Sequence, residues 1–408
     1  MDAVHADGRR RAGPPPTPRD RRPRATLPRS RASAIRRRLL AWWDAGHRDL
    51  PWRFPQGAAD PYRVWIAEVM LQQTRVAVVV PYYRRFVRRF PTLRALARAD
   101  EDAVLALWSG LGYYGRGRRM LAAAREAEAR HGGLPASVGA LAALPGFGPY
   151  TAGAVASIAF ALREPCVDGN VARVLSRLLL LEGRRGARAV RTALWEAAAA
   201  LVPARRPGDF NQALMELGAT TCTRAAPGCA RCPLAGDCGA LRAGRQRALP
   251  APRVRPPPAV VDVACAVIRR GDEVLLVRRP GDGLFGGLWG LPFATAPSRA
   301  GARHALARVV EEATGLGVSP GPLVAATERT LTHRRLRMAA YECGPGRLPP
   351  RTPSVRWHPL GPARALPRRG SRRTGGGTGA GRSAPEGHGM GTAMRVLIDA
   401  LPVRRKTP

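Results

Sequence analysis

Lysine is almost missing from this chain. Lys406 is the only one in 408 residues, although the formal net charge is +38. Arginine carries nearly all of the positive charge, so chemistry that needs an ε-amino group, a Schiff base above all, has no residue to use before position 406. Acid is scarce as well, with 29 Asp and Glu against 67 Lys and Arg, and that imbalance favours a polyanionic partner, nucleic acid before an anionic membrane. No apolar run reaches the length of a membrane span: "AGAVASIAFAL" is broken off by Arg163. The basic N-terminus, "RRRAGPPPTPRDRRPRATLPRSR", lacks the apolar centre of a secretory signal. Residues 1–33 are expected to be a disordered basic tail or an upstream mis-assigned start rather than a transit peptide. The seven cysteines do not form a disulfide framework. Four crowd into residues 222–238 while Cys166, Cys265 and Cys343 are scattered, a pattern that suits a reducing cytosol and one metal or cluster site.

What is present divides the chain. Residues 34–242 carry apolar side chains at helical spacing, as in "IRRRLLAWWDAG", "PYRVWIAEVMLQQTRVAVVVPYYRRFVRRF" and "VRTALWEAAAALV", punctuated by Gly, Pro and Asp. Residues 243–258, "GRQRALPAPRVRPPPA", read as an extended proline- and arginine-rich linker. From 259 to 366 the period changes to that of strands, with a turn expected at Gly271-Asp272, a helix in "RHALARVVEEATG" and a strand pair around "LVAATERTLTHRRLRMAAYEC". Residues 367–389 are low-complexity and expected to be disordered, and 390–404 read as one last helix. The fold expected is multidomain, an all-α domain followed by an α+β domain, with no internal repeat.

Three features carry chemistry. In "VWIAEVMLQQTRV", Glu68 is a single carboxylate inside an apolar helical stretch, where an ionised group is costly and either protonates or finds a partner. Cys222, Cys229, Cys232 and Cys238 stand as C-x6-C-x2-C-x5-C, enough thiolates to surround one centre, although spacing alone does not separate zinc from iron–sulfur. "LPGFGPYTAGAVASIAF" sets a glycine turn, Gly146-Phe147-Gly148, ahead of a helix starting near Tyr150, and backbone N–H groups there favour a phosphate. Further on, in "VDGNVARVL", Asp168 precedes another helix, as a simple cap would.

The cysteine spacing matches the [4Fe–4S] loop of the endonuclease III superfamily of DNA glycosylases, and the glycine turn resembles that superfamily's helix-hairpin-helix, which grips the DNA backbone without reading sequence. The resemblance implies a structural cluster on the four cysteines, with Arg224 and Arg231 placed to meet phosphates, and makes Asp168 the catalytic aspartate. Two carboxylates from separate segments would then face one glycosidic bond, by the logic of glycoside hydrolysis. In the superfamily's bifunctional lyases a lysine follows the hairpin. Tyr150 holds that position here, and lyase chemistry is not expected.

Among the monofunctional members the chain closely resembles the MutY-type adenine DNA glycosylases, through "LPWR", "WIAEVMLQQT", "GLGYYGR", "VDGNVARVL" and "NQALMELGA". The resemblance implies that Glu68 protonates a flipped adenine at N7 and that Asp168, with Tyr150, stabilises or captures the sugar cation. Arg53 and Glu216 would line the adenine pocket, Gln73 would wedge into the stack, and Tyr113 or Tyr114 would touch the lesion strand. Trp65, Leu71, Gln72, Thr74, Gly146, Gly148 and Asn170 complete the expected substrate and DNA contacts. Extruding a base costs a few kcal/mol, and less at a mismatch, which suits a pocket flanked by wedge residues. An apolar wall would keep Glu68 protonated near neutral pH, as a general acid requires.

Residues 259–366 resemble the Nudix-like domain that closes this family and recognises 8-oxoguanine, on "EVLLVRRP", "GGLWGLP" and "HALARVVEEATGLG". The glutamate spacing that holds Mg²⁺ in a working Nudix hydrolase is broken: Val309 follows Arg308, and one residue too many separates Glu311-Glu312 from Gly315. The family's lesion-reading Phe-Ser-His stands here as Leu331-Thr332-His333, so Thr332 and His333 keep the hydroxyl and imidazole without the aromatic. The expected activity is removal of adenine opposite 8-oxoguanine or guanine from double-stranded DNA, in base excision repair, by a monomer in the bacterial cytoplasm and nucleoid. Two other classes stand beside it: a Nudix nucleotide hydrolase with a DNA-binding appendage, and a non-catalytic iron–sulfur DNA-binding protein.

Overall fold

Helix starts in the first half of the chain are set by short polar caps. Asp60 accepts hydrogen bonds from the Tyr62 and Arg63 amides ahead of Pro61, and Thr92, Asp100 and Ser137 cap in the same manner. The computed structural model describes residues 27–55, 58–183, 187–251, 257–281, 283–331, 334–345, 354–360 and 390–402. Its first helices are α1 (Arg29–Ala45), α2 (Pro61–Leu71), α3 (Val76–Arg89), α4 (Leu93–Ala97), α5 (Glu101–Trp108), α6 (Tyr114–His131) and α7 (Val138–Ala143). They are followed by α8 (Pro149–Phe160), α9 (Gly169–Leu178), α10 (Arg188–Leu201), α11 (Pro207–Thr220) and α12 (Gly239–Arg242). The remainder holds β1 (Ala259–Val267), β2 (Arg269–Arg270), β3 (Glu273–Arg278), β4 (Trp289–Gly290) and β5 (Phe293–Ala296), then α13 (Arg299–His304) and α14 (Leu306–Thr314). It ends with β6 (Val318–Thr330), β7 (Arg334–Pro345), β8 (Val355–Pro359) and α15 (Thr392–Asp399). None of the described helices is long and apolar enough to cross a membrane.

The chain divides into two compact units. One draws its described residues from Met1–Asp49, Pro55–Ala58 and Pro149–Val254, the other from Leu50–Phe54, Ala59–Gly148 and Arg255–Pro408. In the first, Ile35, Leu39 and Trp43, one turn apart on α1, meet Val171, Leu175 and Leu178 of α9 and Phe210, Leu214 and Leu217 of α11. In the helical part of the second, Trp65, Ile66 and Met70 of α2, Phe86 of α3 and Leu105 and Trp108 of α5 are fully buried.

The β-rich part of the second unit has two sheets. One runs β5-β1-β7-β6, with β1 parallel to β7 and the other pairs antiparallel; the other has β3 between β4 and β8, with β2 also on β3. Successive residues of β1 point to opposite cores: Val263, Cys265 and Val267 pack with α15, and Ala264 and Ala266 with α13 and α14. Helices therefore cover both faces, which is why β1 reads as an unbroken apolar run.

Three local expectations are corrected. The helical stretch expected over 64–76 ends at Leu71, and Gln73, with a left-handed φ of 59°, lies on the turn before α3. Residues 243–251 are a packed turn rather than an extended linker: the Ala248 and Leu249 amides both bond the Arg245 carbonyl, Leu249 is buried, and Arg177 Nε donates to its carbonyl at 2.8 Å. The tail expected to be disordered over 1–33 ends earlier, because α1 starts at Arg29; residues 1–26 lie outside the described residues, as do 361–366 and the 367–389 stretch expected to be disordered.

Candidate active site

Glu68 is buried, 5% exposed, between Ala67 and Val69 in the middle of α2. Leu71 and Gln72 follow at the helix end, then Gln73 and Thr74 on the turn to α3, so the expected wedge residues sit on a turn and not on the helix that carries the acid. Trp65 has almost no accessible surface and stacks on Phe147 with centroids 5.4 Å apart, which fastens the glycine hairpin to α2. Within the hairpin Gly146 has φ +79° and lies against Arg119, where a Cβ would come within 2.9 Å of Arg119 Cβ, while Gly148 directly precedes α8. Trp65, Val69, Gln72, Arg119 and Gly146 line one pocket; Glu68 is not part of its wall. Arg53 closes a turn through its amide to the Leu50 carbonyl, beside Trp52, which packs edge-on against Tyr83. The two tyrosines of "GLGYYGR" part company: Tyr113 is 42% exposed in a left-handed conformation, whereas the Tyr114 hydroxyl donates to the Met390 carbonyl at 2.8 Å.

Asp168, Tyr150, Asn170, Glu216 and the cysteines belong to the other unit. Asp168 caps α9, accepting from the amides of Asn170 (2.8 Å) and Val171 (2.6 Å) and from the Asn170 side chain (2.9 Å). Burial nevertheless pushes its pKa up, against those hydrogen bonds and the nearby Arg173. Arg173 in turn donates to Asn170 Oδ1 and to the carbonyls of Gly218 and Cys222. A Cβ on Gly218 would approach Asn170 Cβ at 2.6 Å, so α11 can lie this close to α9 only as glycine. The Tyr150 hydroxyl meets Met215 Sδ at 3.3 Å. Glu216 is buried and held bidentately by Arg48, through Nε at 2.6 Å and Nη2 at 2.7 Å.

The four cysteines line one pocket together with Arg177, Thr221 and Gln246. Among the described residues no three His, Cys, Asp or Glu side chains converge as a single-ion site. Arg177, buried on α9, donates to Cys222 Sγ at 3.3 Å and to the Thr223 and Arg224 carbonyls at 2.7 and 3.1 Å. Arg231 reaches back to the Thr220 carbonyl. Thr332 and His333 lie outside the described residues.

Sequence reasoning missed the buried arginines Arg116 and Arg177 and the half-buried Arg173. The signal was the one that exposed Glu68, a charge on the inward stripe of a helix, but it is hard to see where arginine fills every surface as well.

Residues 66–200 match the HhH-GPD superfamily of base excision DNA repair proteins, and residues 263–368 match the NUDIX domain. The chain is 38% identical over 380 residues to an adenine DNA glycosylase of Rattus norvegicus, covering 80% of this chain and 74% of the relative. It is 37% identical over 390 residues to one of Homo sapiens, covering 80% and 70%. A solved thermostable thymine-DNA glycosylase aligns at 28% identity and a TM-score of 0.46, over 52% of this chain and 97% of its own. With a helical HhH-GPD domain ahead of a Nudix-like α/β domain, and with likeness that covers 74% and 70% of those two relatives, the chain belongs to the adenine DNA glycosylase family.

Proposed function

We propose that this protein hydrolyses the N-glycosidic bond of adenine mispaired with 8-oxoguanine or guanine in double-stranded DNA, without strand scission. Glu68 gives its proton to adenine N7, the C1′–N9 bond breaks with its electron pair leaving on the base, and water supplies the hydroxyl that ends on C1′ while its other proton restores the Glu68 carboxyl. Asp168, with Tyr150, offsets the positive charge that builds on the sugar. Arg53 and Glu216 hold the base, Gln73 occupies the stack it left, and Tyr113 and the Thr332-His333 segment face the opposite strand. The observations that carry this reading are a carboxyl buried in mid-helix, Glu68, and a half-buried one whose pKa is raised by burial, Asp168, in a chain with no lysine before position 406. That lysine distribution leaves no Schiff-base nucleophile and supports a glycosylase without lyase activity.

The four cysteines and the pocket they line fit the [4Fe–4S] cluster of related glycosylases. When bound, it cross-links the loop and adds no step to bond cleavage. The sequence boundaries 34–242 for the glycosylase domain and 259–366 with 390–404 for the Nudix-like domain are part of the same reading, as is a monomer at work in the cytoplasm and nucleoid.

The test is release of adenine from an A:8-oxoguanine duplex under single-turnover conditions. Glu68→Gln is expected to lose release by at least about 10³-fold while keeping duplex binding. Brisk release by that variant would remove the acid assignment, and excision of oxidised pyrimidines by the wild type would overturn the substrate.

A further inference from the structure

Arg116, in the first turn of α6, is only 6% exposed and all of its hydrogen-bonding partners are neutral. Nη1 donates to the carbonyls of Val69 at 2.8 Å, Met70 at 3.1 Å and Gln72 at 2.5 Å. Nη2 reaches Thr74 Oγ1 at 3.3 Å and the Gly112 and Leu111 carbonyls at 3.4 and 3.5 Å. Burial pulls its pKa down to about 10, which still leaves it charged at neutral pH. A buried cation placed on the last carbonyls of α2 answers both the orphan acceptors and the negative end of the helix dipole. It also ties that helix end to a second segment, the loop leading into α6.

Both tied segments present a strained residue to solvent. Gln73 has φ 59° and Tyr113 has φ 50°, neither is glycine, and both side chains are exposed. Such conformations cost on the order of 1–3 kcal/mol each and persist only where the surroundings over-determine them. Here the surroundings are the Arg116 guanidinium, which also lies under the Tyr113 ring at 5.4 Å. The far end of the loop is fastened too, by the Ser109 and Tyr114 hydroxyls on the Met390 carbonyl at 3.0 and 2.8 Å. A side chain pushed into a base stack unstacks the DNA only if its own backbone yields less than the stack does, and unstacking costs a few kcal/mol.

We propose that Arg116 locks the Gln72–Thr74 turn and the Leu111–Tyr113 loop into one rigid wedge, and so acts as a positioning residue for base extrusion rather than for bond cleavage. The inference rests on the reading of the chain as an adenine glycosylase. Arg116→Lys and Arg116→Met in the full-length protein test it on two duplexes, one with adenine opposite 8-oxoguanine and one with adenine opposite an abasic analogue, where it is already unpaired. Relative to wild type, release from the paired duplex is expected to fall at least about tenfold, and release from the unpaired one to stay within about threefold. The fluorescence rise of a 2-aminopurine placed next to the target adenine, seen on wild-type binding, is expected to be lost. Equal losses on both duplexes, or no loss on the paired one, would overturn the proposal. If thermal melting shows Arg116→Met unfolded, the lysine variant, which keeps the buried charge, carries the comparison. A wild-type protein that released adenine from neither duplex would instead refute the glycosylase reading.

Discussion

Glu68 is buried in the middle of α2, whereas Asp168 is half-buried, ends a helix and accepts three hydrogen bonds. Burial still outweighs those bonds and raises the Asp168 pKa. A carboxyl whose folded-state pKa is raised favours the folded state below its unfolded value of about 4. That contribution is lost as pH rises through the folded value, and above it the ionised group stays a constant cost. Asp168→Asn removes the cost and leaves a side chain that caps a helix about as well. The variant is therefore expected to melt higher than wild type at pH 8, by about 2–4 °C for each kcal/mol relieved, and to converge with it towards pH 4, while losing adenine release. Melting curves across that range check the sign; a lower melting temperature at pH 8 would mean that the cap outweighs the burial.

At the scale of elements, the cysteine loop shows what a local pattern does and does not reveal. That four cysteines gather at one pocket was legible from their short span, and the hairpin and helix starts were legible because caps and glycines are local. The break at Gln73 was not, because the left-handed turn is held by Arg116, more than forty residues along the chain, and 72–75 carries no glycine or proline to announce it. Nor was the packed turn at 243–251, whose partner is Arg177 on α9. Between Cys222 and Cys238 the described backbone makes only two single 3-10 turns, and Leu234 is the one apolar side chain buried in the core. Besides a bound centre, arginines from the helices hold that loop: Arg177, Arg173 on the Cys222 carbonyl and Arg31 on the Asp237 carbonyl. Purified protein is expected to carry about four iron per chain with matching sulfide. Chelation after oxidation is expected to open residues 222–238 to trypsin at Arg224 and Arg231 before α1, α9 and α11 are cut. Stoichiometric zinc, or a loop equally resistant without metal, would remove the cluster from this account.

For the whole molecule, the charge of +38 comes almost entirely from arginine, and surface ion pairs such as Arg130–Glu126 and Arg308–Glu312 contribute little to stability in water. The excess acts instead on association with a polyanion, where each phosphate contact brings a dependence on salt. Stability comes from the cores, and the C-terminal core draws on a part of the sequence that looks dispensable. Residues 390–402 follow a glycine-rich stretch with no apolar pattern, yet Met390, Met394, Leu397, Ile398 and Leu401 are all buried against Val263, Trp289 and Phe293. Met390 also bridges to Trp289, and its carbonyl receives the Ser109 and Tyr114 hydroxyls. Burying five such side chains is worth at most about 7–15 kcal/mol, an upper bound because an unfolded chain is never fully extended. That is comparable with the total stability of an ordinary domain, about 5–15 kcal/mol. A chain ending at residue 389 is thus expected to lose the cooperative unfolding of its β-rich part and to bind a hydrophobic dye there. Adenine release should also fall, because the loop bearing Tyr113 loses its anchor. Calorimetry and limited proteolysis of the shortened chain beside the full one decide this, and a β-rich part that still unfolds cooperatively would show that α15 only covers a core complete without it.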